Sequence, residues 1–161
     1  MPRHKRNPNC THAYHVDVID WEANTSFNDH AYMNMFGEGP FQENPVITLI
    51  GTIDLEQGKT KKKGLPVKVI IWCGEYWHDP RDRPKDEEPI GNVEILRSQQ
   101  GNKSRDTLFL RISLPPRSWE LVLATLVANK KLKVFAMGSP LEKKSGKIYQ
   151  VSIRSSTASG E

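Results

Sequence analysis

Between residues 107 and 114 every second side chain is aliphatic: Leu108, Leu110, Ile112 and Leu114 take one side, and Phe109, Arg111 and Ser113 take the other. Side chains alternate faces along an extended chain, so a period of two marks a strand with one face toward a core. The same rhythm runs through 12–20, where Tyr14, Val16 and Val18 oppose His15 and Asp17. Residues 46–55 and 65–73 are rich in β-branched and aliphatic side chains, and 93–97, 132–137 and 147–154 add shorter runs. The pattern breaks to a helical one only once. Trp119, Val122, Leu123 and Leu126 recur at spacings of three and four after Pro115-Pro116, and proline is well tolerated in a first helical turn. Asn129 is placed to end this helix in a left-handed conformation.

About seven strands joined by short connections, with a single late helix, favour an antiparallel arrangement over a parallel α/β fold. The expected fold is therefore mainly β, an antiparallel β-sandwich or partly open barrel of about seven strands with one packed α-helix at about 115–129. At 161 residues and 37% hydrophobic composition, the chain can build one core. Residues 10–154 read as a single β-rich domain. Residues 1–9, with Arg3, His4, Lys5, Arg6 and two prolines, read as a flexible basic arm, and 155–161 as a disordered tail. No apolar run reaches the roughly 18 residues that span a bilayer, and the first residues lack the apolar core of a secretory signal. With only Cys10 and Cys73, no disulfide framework is present; a cytoplasmic setting without membrane contact is expected.

The connections carry the remaining information. Residues 21–45 hold Trp21, Phe27, Tyr32, Met33, Met35, Phe36 and Phe41 among turn-forming residues, which predicts a long segment lying across the core. Residues 56–64 form a polar run ending in Gly64, which predicts a hairpin with a long loop. Residues 74–89, with Pro80, Pro84 and Pro89, predict an irregular surface excursion.

Chemistry-bearing clusters are weak. Cys10, His12 and His15 are good zinc-ligand types, but a structural site needs four ligands in paired short spacings, and His30, His78 or Cys73 would have to come from afar. Cys73 next to His78 could make a thiol nucleophile and its base. Yet Cys73 is in phase with Val67, Val69 and Ile71, and a cysteine on an apolar strand face behaves as a small hydrophobe. Asp79, Asp82, Asp86, Glu87 and Glu88 alternate with Arg81, Arg83 and Lys85, the composition of a self-neutralised solvated loop. No phosphate-binding glycine loop, nucleophile elbow or zinc-protease motif occurs. No catalytic residue, metal ligand or cofactor is assigned.

Charge distribution says more than the formal net charge of +4. If successive connections alternate between the two ends of a sheet, segments 56–65, 97–105 and 141–147 share one end and carry +3, +3 and +2. Segments 20–45 and 74–92 share the other and carry −5 and −3. A Greek-key strand order would be expected to scramble this polarity. A basic pole recruits phosphate backbone, and lysine also keeps hairpin tips soluble and sheet edges monomeric. The leading expectation is a non-enzymatic binding module, alone or as a subunit of a larger complex, that contacts nucleic acid (DNA or RNA undistinguished). Its contacts would be Lys59, Lys61, Lys62, Lys63, Lys103, Arg105, Lys143, Lys144 and Lys147. The alternative is a protein–protein scaffold subunit using Trp21, Tyr32, Phe36, Tyr76 and Trp77, residue types that anchor interfaces. A metal-dependent hydrolase built on Cys10, His12 and His15 comes third.

Overall fold

The structure is a computed structural model that describes residues 10–29, 41–73, 89–100 and 102–155. The arm at 1–9, the central part of the 21–45 segment and the prolines and charges of 74–88 lie outside the described residues, as does most of the C-terminal tail.

Seven strands and one helix follow in the order β1 (His12–Asp29), β2 (Phe41–Gln57), β3 (Thr60–Cys73), β4 (Gly91–Gln100), β5 (Lys103–Leu114), α1 (Pro116–Ala128), β6 (Leu132–Gly138) and β7 (Ser145–Ser155). The strands close into one irregular barrel-like ring in the order β1-β2-β3-β5-β4-β7-β6, and β6 returns to β1. Every contact around the ring is antiparallel except that of β3 with β5. The fold class read from periodicity holds: mainly β, with a single packed helix.

The alternation that predicted the strands fills the interior. Val67, Val69 and Ile71 on β3 and Leu108, Leu110 and Ile112 on β5 are all buried, with Tyr14, Val16, Ile47, Leu49, Val93 and Val134 around them. The helix closes one end of the ring. Its predicted face turns inward, with Trp119 and Leu126 buried and Val122 and Leu123 packed against the core. The Trp119 indole N–H donates to the Ile71 carbonyl at 3.3 Å, which satisfies the polar atom of a buried aromatic and fixes the helix on β3.

Three expectations need correction. The polar run after Leu55 is not a long loop: β2 continues to Gln57, a turn at Gly58-Lys59 reverses the chain, and Thr60 resumes pairing opposite Gln57. Gly58 supplies the positive φ (56°) that such a tight reversal needs. Lys61, Lys62 and Lys63 are thus strand residues. Likewise 21–29 and 41–45 are not irregular cover but the paired continuation of β1 and β2, from Trp21 opposite Leu49 to Asp29 opposite Phe41. Asn129 ends the helix with φ −129° and ψ 138°, an extended and not a left-handed cap. Its amide instead donates back to the Thr125 carbonyl at 2.7 Å, satisfying one of the carbonyls left open at the helix end.

Candidate functional site

The ladders fix the strand directions, and each connection in this chain reverses direction. The β2–β3, β4–β5 and β6–β7 hairpins therefore turn at one end of the ring, where β1 also begins. At the other end β1 stops and β2 starts, β3 stops and β4 starts, and α1 joins β5 to β6. Going round the ring, the three hairpins stand side by side, and their tips form one rim.

Backbone ladders do not join the tips. β3 and β5 pair only from Val67 and Leu108 onward, and the β4–β7 ladder covers only Gly91 to Glu94. Side chains and single backbone bonds tie the projecting arms instead. The Lys62 ammonium donates to Asp106, bridging the β2–β3 arm to the β4–β5 arm above the start of their ladder. Arg97 lies 3.5 Å from the same carboxylate. Both cations, the Lys62 hydrogen bond foremost, hold the Asp106 carboxyl below the ordinary aspartate range. The Leu141 N–H donates to the Gln57 side-chain oxygen at 2.9 Å, joining the β6–β7 tip to the β2–β3 arm. The Ile95 N–H donates to the Lys144 carbonyl at 2.9 Å, joining β4 to the β6–β7 tip. Each arm is thus bonded to the other two. Beneath them Tyr14 donates its hydroxyl to the Ser139 carbonyl at 2.7 Å, and burial pushes its phenol above the usual range, with the Gln57 side chain working in the opposite direction.

The last tip is also a conformational oddity. Glu142 and Ser145 exchange backbone hydrogen bonds of 2.8 and 3.1 Å around Lys143 and Lys144, whose φ angles are 49° and 70°. Two consecutive positive φ values define a type I′ reversal, which strongly prefers Asn-Gly. Here two lysines occupy it.

The nine cations expected to meet phosphate therefore sort into two groups. Lys62 is half-buried and committed to Asp106, and Lys61 reaches Glu56 at 3.4 Å with both side chains 75% exposed. An ion pair so exposed is worth little and opens readily. Lys59, Lys63, Lys103, Lys143, Lys144 and Lys147 are exposed and, among the described residues, paired with no carboxylate. Arg105 is exposed on the same arm as Lys103. The aromatic group fares differently. Trp21 is half-buried and packs against the core, while Tyr32, Phe36, Tyr76 and Trp77 lie outside the described residues.

His12 and His15 sit on opposite faces of β1, and His15 meets the Phe135 ring edge-on at 4.6 Å. No three His, Cys, Asp or Glu side chains among the described residues are grouped to hold a metal ion. Cys10 is half-buried, and burial raises its thiol pKa, the wrong direction for a nucleophile. Cys73 packs against the core, as its phase on β3 indicated.

The sequence reading missed the outer wall of β2, β3 and β5. Trp72 is 44% exposed and Ile50 is 40% exposed, both pointing away from the core. The signal was present: 69–73 is apolar at successive positions, so this stretch of β3 is apolar on both faces. No family model, curated protein or solved structure matches the chain.

Proposed function

We propose that the protein is a non-enzymatic binding module that holds nucleic acid by its phosphate backbone at the rim of hairpin tips. The observation that carries this reading is the mutual bonding of the three arms through Lys62–Asp106, Gln57–Leu141 and Ile95–Lys144. Lysines on unconnected loops would lose freedom when they met a polyanion. Lysines on arms already fastened together present their charges at fixed separations, and less ordering free energy is lost on binding. Contacts of this kind position a polymer without reading its sequence.

The test is a charge reversal with one lysine from each tip: Lys59→Glu, Lys103→Glu and Lys143→Glu together. Fluorescence anisotropy on labelled single-stranded and duplex oligonucleotides of unrelated sequence gives the affinities. Binding by the unaltered protein should weaken steeply with salt, by about 0.9 in log–log slope per duplex phosphate contacted. The triple variant should lose at least about a hundredfold on every sequence, if each reversal removes one contact worth roughly five- to eightfold near 0.1 M salt. Its thermal midpoint should barely move, because exposed substitutions cost within about 0.5 kcal/mol each. Equal binding by the variant would sink the reading.

A further inference from the structure

We infer that Arg97, on the inside of the rim, clamps a backbone phosphate of a single-stranded nucleic acid that crosses the mouth of the ring; this rests on the function proposed above and names its substrate class. Directly opposed residues of an antiparallel pair share a face, and faces alternate along each strand. Ile95 and Leu108 are partners and both are buried, so Arg97 and Asp106, the next partners on that face, also turn toward the inside of the ring. Lys62 is the partner of buried Leu55 and joins them there. Its ammonium meets one Asp106 oxygen, and the Arg97 Nε meets the other at 3.5 Å. Two cations and one carboxylate thus form a charged layer over an apolar floor. Exposure grows toward the mouth, from 21% at Asp106 to 67% at Arg97.

Arg97 is the member of this layer placed to meet a ligand. A pair this long and this open adds little stability. It uses Nε alone, so the two terminal nitrogens of the guanidinium have no carboxylate partner among the described residues. An arginine turned by its Nε toward Asp106 presents the fork that takes two oxygens of one phosphate, which the point charge of a lysine cannot do. The surroundings favour a polyanion with every acid counted: residues 54–63, 95–108 and 141–147 hold ten cations and four carboxylates, a balance of +6. The depth of the layer chooses the form of the polymer. The β4–β5 arm runs three further pairs beyond Arg97, and the β2–β3 arm two beyond Lys62, which sets the layer about 7–10 Å below the tips. Seven strands about 4.8 Å apart and tilted about 40° close a ring roughly 14 Å across between backbones, and side chains narrow it further. A single strand can lower a phosphate into that opening. A duplex, whose backbones stand about 12 Å apart across the major groove alone, rests on the tips.

The experiment compares Arg97→Ala and Arg97→Lys with the unaltered chain, on a fluorescein-labelled oligothymidylate of about 20 nucleotides and a labelled duplex of about 20 base pairs, at several salt concentrations. Arg97→Ala should lose about fivefold on the single strand near 0.1 M salt, with the log–log slope falling by about 0.7, and less than about twofold on the duplex. Arg97→Lys keeps the charge and so should keep the slope, yet it should stay about two- to fivefold weaker on the single strand, because an ammonium cannot fork. Both variants should melt within about 2 °C of the unaltered chain, since the side chain is exposed. Full single-strand affinity in either variant, or equal losses on both probes, would overturn the clamp; the rim would still stand if the triple charge reversal lowers binding as expected. Absence of binding to either probe at low salt would remove the rim and the clamp together.

Discussion

The turn at Lys143-Lys144 allows stability and binding to be pushed in opposite directions by one double substitution. A side chain with a β-carbon in the left-handed region costs about 1–2 kcal/mol, and asparagine and glycine are the residues that tolerate it. Replacing Lys143→Asn and Lys144→Gly installs the pair that a type I′ reversal prefers. Glycine returns about 0.5–1 kcal/mol of that relief through its greater freedom in the unfolded chain. A net gain of about 1 kcal/mol remains, or about 2–4 °C in thermal midpoint for a chain of this size. The Ile95 link survives, because it uses the Lys144 backbone carbonyl, which any residue supplies. Binding should move the other way. Two exposed cations leave the rim, so the salt slope should fall by about 1.4 on a single strand or 1.8 on a duplex, and affinity near 0.1 M salt by roughly 25- to 60-fold. Thermal unfolding by circular dichroism and anisotropy titrations at three salt concentrations read the two effects separately. A midpoint that falls would refute the strain argument. A midpoint that rises with affinity unchanged would refute the role of this tip in holding phosphate.

Two further substitutions probe the frame that carries the site. Leu126 is 1% exposed on the inward face of α1, so Leu126→Ala should cost about 2–5 kcal/mol and lower the thermal midpoint by several degrees or more; a change under 1 °C would mean the helix is not packed as described. At Gly51 a β-carbon would lie 2.1 Å from the Asp17 carbonyl oxygen, beside the β1 irregularity between Val18 and Asp20, and backbone cannot give way as a flexible side chain can. Gly51→Ala should therefore destabilise far more than Gly58→Ala, which meets nothing within 4 Å and bears only the cost of its positive φ; equal midpoints for the two would contradict the close approach of β1 and β2.

How much of this was readable in the sequence depends on the range of the forces involved. The buried sets on β3 and β5 and the inward stripe of α1 follow from local periodicity, and each residue expected to face the core does so. The strand ends do not follow from it. Thr60-Lys61-Lys62-Lys63 has no apolar alternation and reads as loop, yet it pairs with β2 because Gly58 turns the chain early and Asp106, from another arm, draws Lys62 in. Gly64, expected to bound the loop, has φ 60° inside β3, with its N–H donating to the Asp54 carboxylate at 2.8 Å. Neither partner of these bonds can be inferred from neighbours in the chain. The outer wall was partly readable, since the run from Val69 to Cys73 puts Ile70 and Trp72 on the outward side of β3, but its continuity with Phe109 needed the parallel pairing of β3 with β5.

The three basic hairpins share one end although the strands do not follow one another round the ring, and the reason is one of parity. Which end of a sheet a connection occupies depends on whether the strands it joins run in opposite directions, and not on whether they are neighbours. β3 and β5 are adjacent and parallel, so the ring is not a simple meander, but β4 runs between them in sequence and restores the alternation. Only a connection that joined two parallel strands directly would have moved a basic hairpin to the opposite end. The permuted order adds something a meander would lack. It sets the β4–β5 arm beside β3, where Asp106 can take Lys62, and it places β7 against β4, where the Lys144 carbonyl can take the Ile95 N–H. The same rearrangement that obscures strand order in the sequence is what fastens the three arms of the rim to one another.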